Sequence, residues 1–255
     1  MKTDSTIYDV YNPQAQAPLL LVCEHASNFI PADLHHLGLN NAQLETHMAW
    51  DIGALLLAKH LSDALDARLL HSRVSRLVYD CNRPPDAPDA IVTQGEKFAV
   101  PGNQHLSVSA QEHRVTRFYR PFQEALESLL EQHRPQFLVT VHSFTPVYHG
   151  KKRAVDLGIL HDTDSRLADC MLHCAQDYFA REHPAILVRR NEPYSAQDGV
   201  THTLKEHAIP RKIPNVMLEL KSSLLTDTTK LEQLAADLCM ILRCSFKLLE
   251  TVGVQ

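Results

Sequence analysis

Glycine is scarce in this chain of 255 residues, at 8, and there is a single tryptophan. No glycine-rich phosphate loop, GxSxG elbow or HExxH pair is present, which removes three common routes to hydrolysis. None of the apolar runs approaches the ~20 residues of a spanning helix, so no membrane partner is expected. There is no nucleic-acid signature, and 25 basic against 30 acidic residues give a formal charge of −5. Bulk attraction to nucleic acid or anionic lipid is therefore not expected. The opening MKTDSTIYDVYNPQ carries Asp4 and Asp9 and no apolar stretch, so it reads as lacking a secretory signal. The six cysteines (Cys23, Cys81, Cys170, Cys174, Cys239 and Cys244) form no CxxC and sit in apolar segments, as reduced thiols of a cytoplasmic protein would. Repeats, low-complexity tracts and Gly/Ser linkers are absent too, so residues 1–255 read as one domain.

Strand-length apolar runs are present at residues 18–23 (PLLLVC), 68–80, 137–143 (FLVTVHS), 156–161, 185–190 and 216–220 (VMLEL). Several are continuously apolar, as strands buried on both faces of a largely parallel sheet are. Between them lie helix-period segments: 41 to about 66, 109 to about 133 with Pro121 predicting a kink, 164–182 and 227–249. Ser109 to Glu112 has the form of a capping box, and an Asp or Thr stands near the start of the last two. The alternation predicts an α/β fold, a three-layer sandwich around a mostly parallel or mixed sheet.

Polar residues cluster where these runs end, and open α/β sheets bind ligands beyond the carboxyl ends of their strands. Glu24 and His25 follow PLLLVC; Asp80, Asn82 and Arg83 follow RLVY; His142 and Ser143 end FLVTVHS; Asn191 and Tyr194 follow AILVRR. His25 and His142 are the natural ligands for a divalent ion, since neutral imidazole suits zinc and a catalytic zinc takes three protein ligands. Asp51 interrupts MAW–IGALLLA, where an unpaired carboxylate would be costly. Spaced four residues after His47 on an expected helix, it is the candidate third ligand. Glu24 competes, although strand alternation sends it away from His25. Glu219, flanked by Leu218 and Leu220, is expected to be a buried carboxyl of raised pKa acting as general base. Arg76, Asn82 and Arg83 would bind a substrate carboxylate, with Ser143, Asn191 and Tyr194 lining the same cleft. Cys170, His173 and Cys174 share a helix face but read as core packing, and His202, Glu206 and His207 as exposed helix surface.

The motifs EHASNFIP, HMAWDIGA, SRLVYDCNRPP, TVHSFTP, NEPYS and VMLEL, in that order, resemble the N-formylglutamate amidohydrolase family over residues 19 to 220. The resemblance implies a zinc hydrolase releasing formate and glutamate, on a zinc-carboxypeptidase-like fold shared with aspartoacylases. In those relatives an Asn–Arg pair holds the substrate carboxylate, a later-strand His binds zinc and a Glu is catalytic. Asn82–Arg83, His142 and Glu219 match these features. The deformylases carry Pro–His where this chain has Glu24–His25. The carboxypeptidase second-ligand position falls on Asn28, which leaves Asp51, Glu24 and Asn28 open for the last ligand place. The resulting expectation is an amidohydrolase with one zinc ion, in which metal-bound water attacks a small N-acyl, N-formyl first of all, acidic amino acid. A non-catalytic carboxylate-binding protein on the same fold is the alternative.

Overall fold

The computed structural model describes residues 7–252, so Asp4 of the opening segment lies outside the described residues. The apolar runs form a seven-stranded mixed sheet, with strands β1 (Tyr8–Tyr11), β2 (Leu19–Cys23), β3 (Arg68–Ser72), β4 (Phe137–Phe144), β7 (Leu157–Leu160), β8 (Val188–Arg190) and β9 (Asn215–Lys221). A two-stranded hairpin, β5 (Val147–Tyr148) and β6 (Lys151–Lys152), stands apart from it. The sheet order is β1-β3-β2-β4-β9-β7-β8. The central strands β3, β2, β4 and β9 are mutually parallel, while β1 and the β7–β8 pair run against their neighbours.

Continuous apolarity has a simple origin here, because alternate residues of each central strand feed two cores. Leu19, Leu21, Val139, Val141, Leu218 and Leu220 pack beneath α2 (Ala54–Leu65), α5 (Arg166–Glu182) and α6 (Thr228–Val252). Leu20, Val22, Leu138 and Met217 pack on the other face with Phe122, Leu126 and Leu130 of α4 (Arg120–His133). Each fully buried aliphatic side chain contributes about 1.5–3 kcal/mol. The result is a three-layer α/β sandwich, as expected.

Several local expectations change. The segment expected to be one helix from 41 to about 66 is α1 (Asn41–Leu44) and α2, separated by turns. Gly53 sits between them at φ +83°, and a Cβ there would lie 2.4 Å from Leu225 Cβ. Asp51 is thus a turn residue whose N–H donates to His25 O at 2.9 Å, not a helical neighbour of His47. The run at 68–80 is strand only to Ser72. Beyond it Ser75 Oγ donates to Ala49 O at 2.8 Å and accepts from Leu77 N, folding the chain into turns. The helix after 107 is capped by Ser107, whose Oγ accepts from Ala110 N, rather than by Ser109. It runs through α3 (Val108–Arg114), then a π-helical turn at Val115–Tyr119, into α4. Pro121 lies directly after that π-helical turn, so the missing N–H that predicts a kink falls where the regular helix bonding is already interrupted. Asp227 Oδ1 accepts from Lys230 N at 3.0 Å and caps α6.

Cys174 of α5 and Cys244 of α6 form a disulfide across 6.2 Å between Cα atoms. This corrects the expectation of six thiols and removes cysteine usage as an argument for a reducing compartment. Cys23, Cys81, Cys170 and Cys239 are free and buried. Cys170 packs in the interior as read, whereas His173 points outward and lies 3.8 Å from Asp177. Among the described residues no helix is long and apolar enough to cross a membrane.

Candidate metal centre

Three parallel strands carry their polar residues to one edge of the sheet. Glu24 and His25 leave the end of β2, His142 and Ser143 lie near the end of β4, and Glu219 lies in β9 as the register partner of His142. The turn at 51 is tied to His25 by its backbone, which brings a carboxylate to the same point. His142 Nδ1 lies 3.2 Å from His25 Nδ1 and 3.0 Å from Asp51 Oδ2. His25 Nδ1 lies 3.3 Å from the same oxygen. Two imidazole nitrogens and one carboxylate oxygen therefore enclose a single small space, and all three residues are buried.

The far sides of the rings are held as well. His25 Nε2 lies 2.6 Å from Asp80 Oδ1, and His142 Nε2 faces Glu24 Oε2 at 3.1 Å. Thr203 Oγ1 donates to the other Glu24 oxygen. Asp51 Oδ2 accepts from Ser143 N at 3.2 Å, and Arg76 bridges Asp51 Oδ1 at 3.3 Å and Asp80 Oδ2 at 3.0 Å. When both rings are neutral and carry their proton on Nε2, beside Asp80 and Glu24, both Nδ1 lone pairs turn toward the Asp51 oxygen. In that state the three electron-rich atoms repel one another unless a cation, a proton or a metal ion, lies between them. The donor set fits zinc, which in catalytic sites takes three protein ligands of this kind and leaves a position open.

Charge at the site follows from the same contacts. Burial is the largest influence on the Asp51 and Asp80 carboxyls and would raise both, but His25 together with His142 at Asp51, and His25 together with Arg76 at Asp80, outweigh it, so both are held below the usual carboxylate range. Burial would raise Glu24 too, and His142 with Thr203 draws it down. Conversely, burial would lower His142, yet Glu24 and Asp51 hold its pKa well above the ordinary imidazole value. That reflects how strongly this cluster attracts positive charge. Glu219 differs from the other acids. Burial pushes it up to about 7, against the attraction of His142. It sits on an interior strand between β4 and β7, so it is not a solvent-facing edge residue.

These groups open onto a cavity of about 600 Å³. Arg76, Asn82, Arg83, Ser143 and Tyr194 line it as expected, and Glu219 does too. Their bonds refine the expectation. Asn82 uses its amide on Val200 O and on Thr203 N, and Arg83 donates to Gly199 O at 2.8 Å and to Asp89 Oδ2 at 2.8 Å. Both thus fasten residues 198–203 to the cavity wall. Glu24 stands at the Nε2 side of His142, outside the three converging atoms. Asn28 donates to Leu44 O and Glu45 Oε1, also away from them. Asn191 does not line the cavity, because its Oδ1 is taken by His161 N at 2.9 Å. Sequence reasoning missed His47, Glu96, Tyr148 and Arg153 on the cavity wall. They lie in turns and a hairpin, where no periodicity marks an inward face.

His202 and His207, read as exposed, are buried, while Glu206 is exposed. His202 Nε2 lies 2.8 Å from Tyr119 Oη, and His207 packs its Nε2 on Gln123 Oε1. Burial, with Arg211 nearby, lowers the His207 pKa from 6.5 to about 4. The unfolded chain takes up this proton near pH 6.5, whereas the folded chain resists until near pH 4. Stability should therefore fall on acidification through that window, by up to about 3 kcal/mol. Chemical denaturation at pH 7 and pH 5 should show a smaller loss in His207→Gln than in the wild type. Equal losses would rule out His207 as the source.

The model of the N-formylglutamate amidohydrolase family matches residues 17–226. The gene product Atu2144 from Agrobacterium tumefaciens is 40% identical, with 98% of each chain covered and a TM-score of 0.92. The N-formylglutamate amidohydrolase from Ralstonia eutropha JMP134 is 18% identical over 94% of this chain and 97% of that one, with a TM-score of 0.62, and so shares the fold. No curated protein matches significantly. With the matched segment spanning β2 through β9 and every residue of the converging cluster, this chain belongs to the N-formylglutamate amidohydrolase family.

Proposed function

We propose that the protein is a zinc-dependent amidohydrolase that cleaves an N-acyl, in the first instance N-formyl, acidic amino acid such as N-formylglutamate. The observation that carries this reading is the convergence of His25 Nδ1, His142 Nδ1 and Asp51 Oδ2 within 3.0–3.3 Å of one another, on the wall that also holds Glu219. These three residues would hold the zinc ion. When bound, zinc polarises the scissile carbonyl and makes water a better nucleophile near neutral pH.

The chain's own groups do the rest. Glu219, with a pKa of about 7, is ionised in part at neutral pH and can take a proton from the attacking water. Its conjugate acid can then pass that proton to the departing amine nitrogen. Asp80 and Glu24 hold the two imidazole rings in the tautomer that presents Nδ1 to the ion. Arg76 braces Asp51 and Asp80 against their mutual repulsion. A binding protein without hydrolysis would share the cavity but has no use for a carboxyl of raised pKa beside the cluster.

Incubation with N-formylglutamate should release formate and glutamate in equal amounts. Treatment with a strong chelator should stop release, and zinc should restore it. Continued release after complete zinc removal would overturn the metal assignment, and binding without release would favour the non-catalytic alternative.

A further inference from the structure

Three arginines line the cavity, and two of them are already committed. Arg76 spans Asp51 and Asp80, and Arg83 pairs with Asp89 and two loop carbonyls. Arg153 is different. It follows the β5–β6 hairpin and lies over three aromatic rings, 4.7 Å from the centroids of Tyr148 and Tyr194 and 5.6 Å from that of Phe144. Its Nη1 donates to Tyr194 Oη at 2.9 Å and to Thr145 O at 3.4 Å. Among the described residues its side chain pairs with no carboxylate, and its Nε and Nη2 donate to nothing.

That edge matters, because Nε and Nη2 together form the fork that grips a carboxylate with two parallel hydrogen bonds. The ring faces hold the guanidinium plane in place, so little freedom is lost when an anion docks. The surroundings sharpen the point. Asp51, Asp80, Asp89, Glu96, Asp198 and Glu219 line the same cavity and would repel an anionic substrate. A dicarboxylate entering this space needs a cation not yet neutralised, and Arg153 is the arginine that provides one.

Building on the hydrolase reading above, we propose that Arg153 is the substrate-anchoring residue of this cavity, and that its Nε–Nη2 edge binds a carboxylate of the N-acyl amino acid. Asn82 and Arg83 then serve to hold the wall at residues 198–203, and specificity for acidic substrates comes from the hairpin side.

The test compares zinc-loaded wild type, Arg153→Lys and Arg153→Met. The substrates are N-formylglutamate, N-formylglutamine (which lacks the side-chain carboxylate) and 4-formamidobutanoate (which lacks the α-carboxylate). Arg153→Met should raise KM for N-formylglutamate about 30-fold or more with zinc content unchanged, the usual scale for removing one partner of a buried charge pair. Arg153→Lys should fall between, because it keeps the charge and loses the fork. One of the two analogues should lose its handicap relative to N-formylglutamate in Arg153→Met, and that analogue identifies the carboxylate bound. A KM within about threefold of wild type, or both handicaps intact, would overturn the assignment. Calorimetric binding of glutarate gives a readout without turnover, with a loss of about tenfold or more expected in Arg153→Met. If Arg153→Met fails to fold, Arg153→Lys decides by the same measures. Should the wild type release no formate, the hydrolase reading fails, and the glutarate comparison still upholds or overturns the role of Arg153.

Discussion

Glu219→Gln should keep its zinc and lose kcat by about 10²- to 10⁴-fold, the range associated with removing a positioned general base. Glutamine has nearly the volume of glutamate, so the packing of β9 against β4 and β7 is preserved. Burial now favours the mutant, because the carboxyl held at a pKa of about 7 is replaced by a neutral amide. The loss should appear in kcat more than in KM, since the group acts on a proton in flight rather than on substrate binding. The wild-type rate should rise with pH as Glu219 ionises, and this limb should vanish in the variant. A fully active Glu219→Gln would remove the proton-transfer role.

The second large effect is loss of metal. His142→Ala deletes one of the three converging donors and leaves the Glu24 carboxylate buried without its ring partner. Zinc content after dialysis should fall to background, and activity should fall with it. Breaking a buried pair in this way costs about 3–5 kcal/mol, so the folded fraction must be measured alongside. Asp51→Asn keeps the shape of its side chain and provides the milder companion. Glu24→Gln and Asp80→Asn act on the far sides of the two imidazole rings, and each should weaken zinc binding about 10- to 100-fold without abolishing it. Complete zinc loss in Glu24→Gln, with normal binding in Asp51→Asn, would transfer the ligand role from Asp51 to Glu24.

Much of the fold could be read because its central strands are buried on both sides. Two cores sharing one sheet demand nearly continuous apolar runs, and PLLLVC, FLVTV and VMLEL supply them. The polar residues at their ends then stand out, and so does Glu219, a carboxylate with no surface to escape to. Asp51 stands out for the same reason, although it lies in a turn between α1 and α2 and not on the helix that the spacing predicts. The apolar spacing from 41 to 66 satisfies a helix, but Gly53 stands at φ +83° just before α2, a conformation that no helix interior adopts.

What stayed hidden depends on contacts between distant segments. The ring box around Arg153 draws on residues 144, 148 and 194, none of which has a pattern in common with it. The Cys174–Cys244 bridge joins positions 70 residues apart, and only the packing of α5 beside α6 brings them together. Asn82 and Arg83 occupy the cavity wall as expected, but the carbonyls of residues 198–200 that occupy their donors lie far along the chain. His202 and His207 looked like surface, and their burial follows from Tyr119 and Gln123 on the helical segment across from them.

Anomalous diffraction from crystals of the zinc-loaded protein, recorded on both sides of the zinc absorption edge, tests the central claim most directly. The account predicts one strong peak about 2.0–2.2 Å from His25 Nδ1, His142 Nδ1 and an Asp51 carboxylate oxygen. A featureless map at that point in protein carrying stoichiometric zinc, or a peak bound by other side chains, would contradict it.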